Sequence, residues 1–585
     1  MDKSNNPIIQ TPKDAGPPLT FVTSFVKIYD TDVHNKTVQW RIDRFCEIAA
    51  LGIHICVYVS LSYTDLFIDI LRKYPNVRMM KCVDICDTEI YKTYHAEGIE
   101  YSYPEHKNQD KDVEGYMMLM HAKTEFLKDA IDRNIWNSTH FSWIDFNISH
   151  IFKYHFNDTL NYLKFLSSQH FVDNFFTIPG CTDKMDLNNM YIWLNNVQWR
   201  FCGGFIVGDK QSLIDFYQVC KDRMSEFIAL HKKLVWEVNY WAWLESSGYI
   251  SPRWYAADHN DSMIYIPADL YAMCLKNDAT YDSKTYRYPT VDSPDVRYFP
   301  SSAAYLRHND QNYLNTRYVS YTLFPSGTYF FTILNSENGD RNKIYNKNVL
   351  SKLDDNFEML DYIEMDENID IPKQVAFSEG LEDMRLYECD GKVKFVASNI
   401  NYSGVGKVRV MNGTYNLDTH TYSDCHIIRP PSETHCEKNW IPIIHKGEEK
   451  FIYKWYPFEL GKIDNNHQLQ ICQTNFIMGA CFEKIRGSTI FYEVEQGYLG
   501  VVHFCEEGAP RHYYNHLMLL NKETLVPEKY SHPFYFNNVS IEFCVGFAIK
   551  DGRYHFWISQ MDGNPAMISV DIASIPLIYD VIRQT

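Results

Sequence analysis

A change of texture near residue 270 constrains the fold of this chain more than any other feature. Before it, apolar strands alternate with amphipathic helices. Phe21–Ile28 and Ile53–Ser60 read as strands. Val38–Leu51 places Val38, Ile42, Phe45, Ile48 and Ala49 on one helical face. Asp65–Lys73 reads as a helix, Val77–Val83 as a strand, Gly115–Ile131 as a longer helix, and Thr139–Asp145 as a strand ending in an acid. Such alternation predicts an open, largely parallel sheet covered by helices, whose ligands sit at the carboxyl ends of the strands. After about Asp269 helical periodicity fades. Residues 271–300 are rich in Tyr, Asp and Pro (Pro289, Pro294, Pro300) and read as a linker. From Arg317 short strands recur, punctuated by turns such as Ser326-Gly327, Asp390-Gly391, Asn412-Gly413 and Asp551-Gly552. About 50 residues per four-stranded blade predicts an all-β propeller of roughly five blades over 301–585, although no sequence repeat marks the blades. The expected fold class is therefore α/β plus all-β, behind a flexible N-terminal tail, residues 1–18.

Composition narrows the function. Formal charge is −18 from 56 basic and 74 acidic side chains. A chain this acidic is not built for nucleic acid, where clustered Lys and Arg neutralise phosphates. No long apolar run predicts a membrane span. The polar first residues lack a secretory core, so a cytoplasmic location is expected. The 15 cysteines show no metal or redox spacing and read as reduced thiols. No G-x-G-x-x-G follows the first strand and no P-loop occurs, which weighs against dinucleotide oxidoreductases and P-loop NTPases. Aromatic content is 15%, which suits β-structure and also supplies faces on which sugars stack.

The first half carries its chemistry at strand ends. In FSWIDFNISH an apolar strand runs into Asp145-Phe146-Asn147. If extended there, Asp145 and Asn147 point to one side and can hold a hard divalent cation, Mn²⁺ or Mg²⁺, against a diphosphate. A polar strand end that caps the next helix is the alternative. Lys123 lies on the preceding helix, facing donor phosphates or solvent. The Gly203-Gly204 pair permits close backbone approach or a tight turn. Glu237 lies among Trp236, Trp241 and Trp243, as a general base or as a surface residue of a helix with a tryptophan core. His259, beside Asp258, completes the metal shell or makes a structural hydrogen bond.

The ordered set FVTSFV, WIDFNISH, CGGFIVGDK, VWEVNYWAWL and WYAADHN resembles the HtrL/YibB-type glycosyltransferase-like proteins over residues 19–270. The resemblance implies a GT-A-like (Rossmann-like) domain that uses a nucleotide-sugar donor. Asp145 and Asn147 take the place of its D-x-D motif, with Thr23, Lys123, Gly203 and Gly204 beside the donor and Glu237 as base. The second acid of D-x-D is Asn147 here.

In the second half, polar residues recur at comparable blade positions: Glu382, Asp383 and Arg385 in GLEDMRL, then Glu437, Lys438 and Trp440 in HCEKNWIP. Arg486, His503, Glu542 and Asp562 follow. Charged side chains inside strands are costly unless they pair or line a cavity, and a propeller axis offers one. GLEDMR and EKNW resemble elements of the five-bladed family-130-type mannoside phosphorylases and related β-mannosyltransferases. That likeness implies Asp383 as acid, and Arg385, Lys438 and Arg486 on phosphate or another anion. Met384 stands where that family has Pro. The expected function is a metal-dependent glycosyltransferase, a hexosyltransferase of polysaccharide biosynthesis, acting on a glycan or glycoprotein acceptor. The propeller would be a second carbohydrate-active or acceptor-binding domain. The alternatives are a non-catalytic glycan-binding or scaffold protein, and a propeller-based phosphorylase or hydrolase.

Overall fold

A computed structural model describes residues 18–29, 36–154, 156–184, 188–334, 342–478, 480–538 and 540–583. The expected tail falls almost wholly outside them. The chain divides into two compact units, one ending at Tyr271 and the other beginning at Ala272.

The first unit is mixed α/β. Its strands are β1 (Leu19–Phe25), β2 (Ile55–Val59), β3 (Val77–Cys82), β4 (His140–Ile144), β5 (Phe176–Gly180), β6 (Phe205–Asp209) and β7 (Arg253–Ala256). They form one sheet in the order β3-β2-β1-β4-β6-β5-β7. The β3-β2-β1-β4 half is parallel. β6 runs antiparallel to both neighbours. The central strands are buried on both faces, so they read as continuous apolar runs without alternation. Helix Val38–Ala49 is capped by the Thr37 hydroxyl, which accepts from the Trp40 N–H, and it buries Ile42, Phe45, Ile48 and Ala49. The expected helix over 115–131 is two helices, Glu114–His121 and Lys123–Arg133, joined through Ala122. The second ends at Asn134, whose left-handed backbone stops it.

The second unit is all-β and propeller-like. Four antiparallel sheets run on a four-strand path. One holds Phe299–His308, Gln311–Val319, Ile344–Leu353 and Met359–Glu364; the next two cover 382–428 and 441–475. A fourth holds Glu542–Lys550, Arg553–Gln560, Gly563–Asp571 and Asp282–Lys284. A further sheet, built around Gly497–Glu506 and His512–Asn521, has eight strands. Five like blades were expected; the regular four-strand form occurs four times, and the eight-stranded sheet is a composite. The segment read as a linker is also corrected. Met273–Cys274 pairs with Phe534–Tyr535, and Asp282–Lys284 completes the last sheet against 567–569. Both strands precede the segment's prolines and are only two and three residues long, too short to show a period in the sequence.

Candidate functional site

The first unit holds a cavity of about 1120 Å³ at the carboxyl ends of its parallel strands. Ser24 to Tyr29 enter from the end of β1, and Asp145 to Ile148, His150, Ile151 and Lys153 from the end of β4. Of the residues singled out from the sequence, Lys123, Asp145, Asn147, Gly203, Gly204, Glu237 and His259 all line it. Thr23 does not: it is 1% exposed on β1, and its hydroxyl has no hydrogen-bond partner among the described residues.

The floor of the cavity is an ion cluster. Lys123 is 1% exposed. Its Nζ donates to the Gly203 carbonyl at 2.7 Å and to Glu237 Oε1 at 3.0 Å, and lies 3.2 Å from Asp145 Oδ1. Burial works against its charge, but Asp145 and Glu237 outweigh that and hold its pKa above the ordinary lysine value. The ammonium is therefore committed below the site, and the expected direct contact with donor phosphates is corrected. Glu237 opens helix Glu237–Ser246 and is buried. It is not a carboxylate isolated by tryptophans. Trp241 and Trp243 belong to the core, and its partner is Lys123. A Cβ on Gly203 would lie 2.3 Å from Glu237 Oε1, and one on Gly204 3.4 Å from Asp145 Oδ2. Gly203 is needed because its backbone passes directly over the Glu237 carboxylate, whereas at Gly204 the tight neighbour is Met263 Sδ, 3.0 Å from such a Cβ.

Asp145 keeps one face open. Its side chain is 38% exposed, while Oδ1 accepts from Trp143 Nε1 at 2.8 Å. The strand stops at Ile144, and Ile148 N–H donates to the Asp145 carbonyl at 3.0 Å, closing a turn. Asn147 has φ −116° and ψ 31°. The extended geometry expected to align Asp145 with Asn147 is thus replaced by a turn into the short helix Ile148–Ile151. His259 lines the cavity as well. Its Nδ1 lies 3.6 Å from Asp258 Oδ1 and 3.8 Å from Cys181 Sγ, and its ring packs edge-on against Trp199.

Sequence reasoning missed the opposite wall. Lys36, Arg41, Lys111 and Lys153 line the same cavity. None has a carboxylate ion pair among the described residues. Burial and the neighbouring charges of Arg41, Lys111 and Lys153 together push the Lys36 pKa down. These residues span 36–153 without a motif. The available clue was that each follows a strand end or sits in a crossover connection. Tyr63 adds a half-exposed ring stacked on Phe25 at 4.8 Å, with Phe146 stacked behind at 4.4 Å.

The second unit gathers a smaller cluster. Arg317, buried in Gln311–Val319, donates to Asp383 Oδ1 at 2.9 Å and lies 3.6 Å from Glu382 Oε2. Asp383 takes φ 50°, a conformation rare outside glycine. Burial opposes its charge, but Arg317, Lys438 and Arg385 hold its carboxyl below the usual range. Asp562 behaves the other way. Burial raises its pKa, although Arg317 and the Tyr321 hydroxyl, 2.9 Å from Oδ2, oppose the rise. Arg385 spends its donors on Ser488 O, Asp383 O, Asn439 Oδ1 and Gly487 O, and burial brings its pKa to about 10. Four of its five N–H groups are thus committed within the protein, which leaves one on Nη1. Lys438 and Arg486 are exposed. His503, bonded to Ser488 Oγ at 2.7 Å, is pushed down to about 3 by burial and by Arg385, Lys438 and Arg486.

Three further expectations fail for reasons of packing. Glu437 accepts from Trp440 Nε1 at 3.0 Å and from Tyr453 at 3.2 Å. Trp440 is 2% exposed within a core that includes Phe451 and Leu469, so it is no sugar platform. Glu542 is fully buried and accepts from the backbone of Phe536, Asn537 and Asn538 and from Gln560. It ties a loop to its sheet.

The family model HtrL_YibB, described as a bacterial protein of unknown function, matches residues 19–234. No curated protein matches the chain. Among solved structures, a β-1,2-mannobiose phosphorylase from Listeria innocua is 12% identical, with a TM-score of 0.36 over 50% of this chain and 95% of that one. MPT-4, a mannose phosphorylase from Leishmania mexicana, is 12% identical, with a TM-score of 0.33 over 53% and 95%. A glycosyl hydrolase from Bacteroides ovatus is 9% identical, with a TM-score of 0.33 over 53% and 96%.

Proposed function

We propose that the α/β unit is a glycosyltransferase domain, GT-A-like in kind, that takes a nucleoside diphosphate-sugar as donor. One observation carries this reading: four cations that have no carboxylate partner among the described residues share a cavity with Asp145 at the ends of parallel strands, in a chain of net charge −18. Local positive charge in an acidic protein fits an anionic ligand, and the cavity suits a molecule larger than free phosphate. Lys36, Arg41, Lys111 and Lys153 would bind the diphosphate, and Tyr63 would stack on the base. The open face of Asp145, with Asn147, suits a hard divalent cation, which would supply charge for the departing diphosphate. His259 lines the same cavity, with its Nδ1 beside Asp258 and Cys181. Lys123 and Glu237 position the site. Together they fix Asp145 and the Gly203-Gly204 backbone, and they keep water from the floor.

The test is nucleoside diphosphate release from a panel of UDP- and GDP-sugars with Mn²⁺ and a glycan acceptor. Asp145→Asn keeps the Trp143 hydrogen bond and removes the charge. Turnover should fall at least about a hundredfold with the fold intact. Wild-type turnover in the variant would remove Asp145 from the site.

A second reading concerns the propeller-like unit, and the opposed behaviour of Asp383 and Asp562 favours it. Two carboxyls with pKa values driven apart are the pattern of glycoside cleavage. The assignment then reverses the expected one: Asp562 is the proton donor, Asp383 stays ionised on Arg317, and Lys438 with Arg486 receives an anion. Manno-oligosaccharide breakdown with and without phosphate tests it. No cleavage in either condition sinks it.

A further inference from the structure

Two cysteines, an aspartate and a histidine meet beside the cavity. Cys181 follows β5, Cys202 directly precedes Gly203-Gly204, and Asp258 and His259 follow β7. Cys181 Sγ lies 3.6 Å from Cys202 Sγ, 3.7 Å from Asp258 Oδ1 and 3.8 Å from His259 Nδ1. Asp258 Oδ1 and His259 Nδ1 are 3.6 Å apart. The two sulfurs and the histidine nitrogen all fall within 4.8 Å of one another.

These separations have a chemical meaning. Zinc binds thiolate at about 2.3 Å and imidazole or carboxylate at about 2.0–2.2 Å, in a tetrahedron. The edges of such a tetrahedron are about 3.8 Å between two sulfurs, about 3.6 Å between sulfur and nitrogen or oxygen, and about 3.4 Å between nitrogen and oxygen. Four of the six edges, three of them from Cys181 Sγ, fall within about 0.2 Å of those values; Cys202 and His259 lie within 4.8 Å of each other, and Asp258 stands outside that group of three. Cys202 is fully buried and Cys181 and Asp258 are exposed, so the group has a fixed inner side and an open entry side. The backbone is braced for it. Cys181 N–H donates to the Trp199 carbonyl at 2.8 Å, Cys202 N–H to the Pro179 carbonyl at 2.6 Å, and Ala257 N–H to the Gly180 carbonyl at 2.8 Å.

We propose that Cys181, Cys202 and His259 hold a zinc ion, with the exposed Asp258 carboxylate, beside Cys181 and His259, closing the fourth position when the ion binds. It is distinct from the hard-cation position at Asp145, because thiolate and imidazole select a softer ion. Three protein ligands fix the ion, and with Asp258 closing the fourth position the site is structural. It clamps the ends of β5 and β7 to the Gly203-Gly204 turn that leads into β6, and so holds the backbone that lies over Glu237. Binding displaces a proton from each thiol, and no electron is transferred.

Full-length protein, reduced and stripped of metal, is reconstituted with zinc alone and measured by elemental analysis. It should retain about one zinc per chain. Cobalt in its place should give the intense near-ultraviolet thiolate band and the visible bands of a tetrahedral ion. Cys181→Ser, at an exposed position, should abolish the band and lose the zinc, whereas Cys82→Ser/Cys86→Ser, exposed cysteines elsewhere, should change neither. Wild-type protein that holds no zinc, or that gives a cobalt spectrum without a thiolate band, overturns the proposal. So does a zinc content unchanged in Cys181→Ser, or a Cys181–Cys202 disulfide that persists after reduction. The wild-type cobalt spectrum decides the matter even where a variant fails to fold.

Discussion

Lys123 sets the logic of the site at the residue scale. An ammonium with 1% exposure between two carboxylates neutralises charge that would otherwise break the cavity floor open. Lys123→Met should cost about 3 kcal/mol, read from urea unfolding, because Asp145 and Glu237 would then face each other uncompensated. An unchanged midpoint would contradict the cluster's role. Gly203→Ala has no room for its methyl beside Glu237 and should cost about 1–3 kcal/mol and loosen the same floor. His503 gives a pH prediction. Its folded pKa, about 3, lies below the unfolded value near 6.5. Below about pH 6.5 the unfolded chain takes up a proton that the folded chain does not, so stability must fall as pH drops from there toward 3. His503→Gln should flatten that part of the profile, and a profile of the same slope would refute the burial argument. Some of these residues were visible in the sequence. WIDFN and CGG announced Asp145 and the glycines because strand ends and paired glycines are local features. The partnership of Lys123 with Glu237 was not visible, since 114 positions separate them and only the fold brings the charges together.

At the scale of elements, the cavity is made by strand ends, and the parallel half of the sheet was legible from alternating strand and helix patterns. The reversal of β6 was not, because an apolar five-residue strand carries no record of its direction. The turn at Asp145 was also hidden. Residues FNISH have no glycine or proline, and only the hydrogen bond to the Asp145 carbonyl shows that the strand has ended. The cations of the opposite wall come from the connection after β1, from the segment before helix Glu114–His121, and from the connection after β4. Arg41→Ala and Lys153→Ala should each weaken nucleoside diphosphate binding roughly tenfold, with little effect on the unfolding midpoint, since neither has an ion pair to lose. Equal affinity in both variants would separate this wall from the ligand.

For the whole molecule, the proposed readings would give the two units two kinds of chemistry, one built on cations around a cavity and one on two buried carboxyls. The change of texture near residue 270 was legible because helix and strand periods differ. Blade regularity was less so, since the sequence lacks a repeat and the strands at 273–274 and 282–284 are too short to announce themselves. If each unit holds its own site, Asp562→Asn should abolish any glycoside cleavage and leave nucleotide affinity unchanged. A parallel loss of both would contradict that division. The central claim is that the cavity of the first unit holds a nucleoside diphosphate. The most direct measurement is a calorimetric titration of the full chain with UDP and GDP in the presence of Mn²⁺, at low and at high salt. One nucleotide should bind saturably per chain, roughly tenfold more weakly in Arg41→Ala and more weakly at high salt. Absence of binding by both nucleotides, or binding indifferent to Arg41, would contradict that claim.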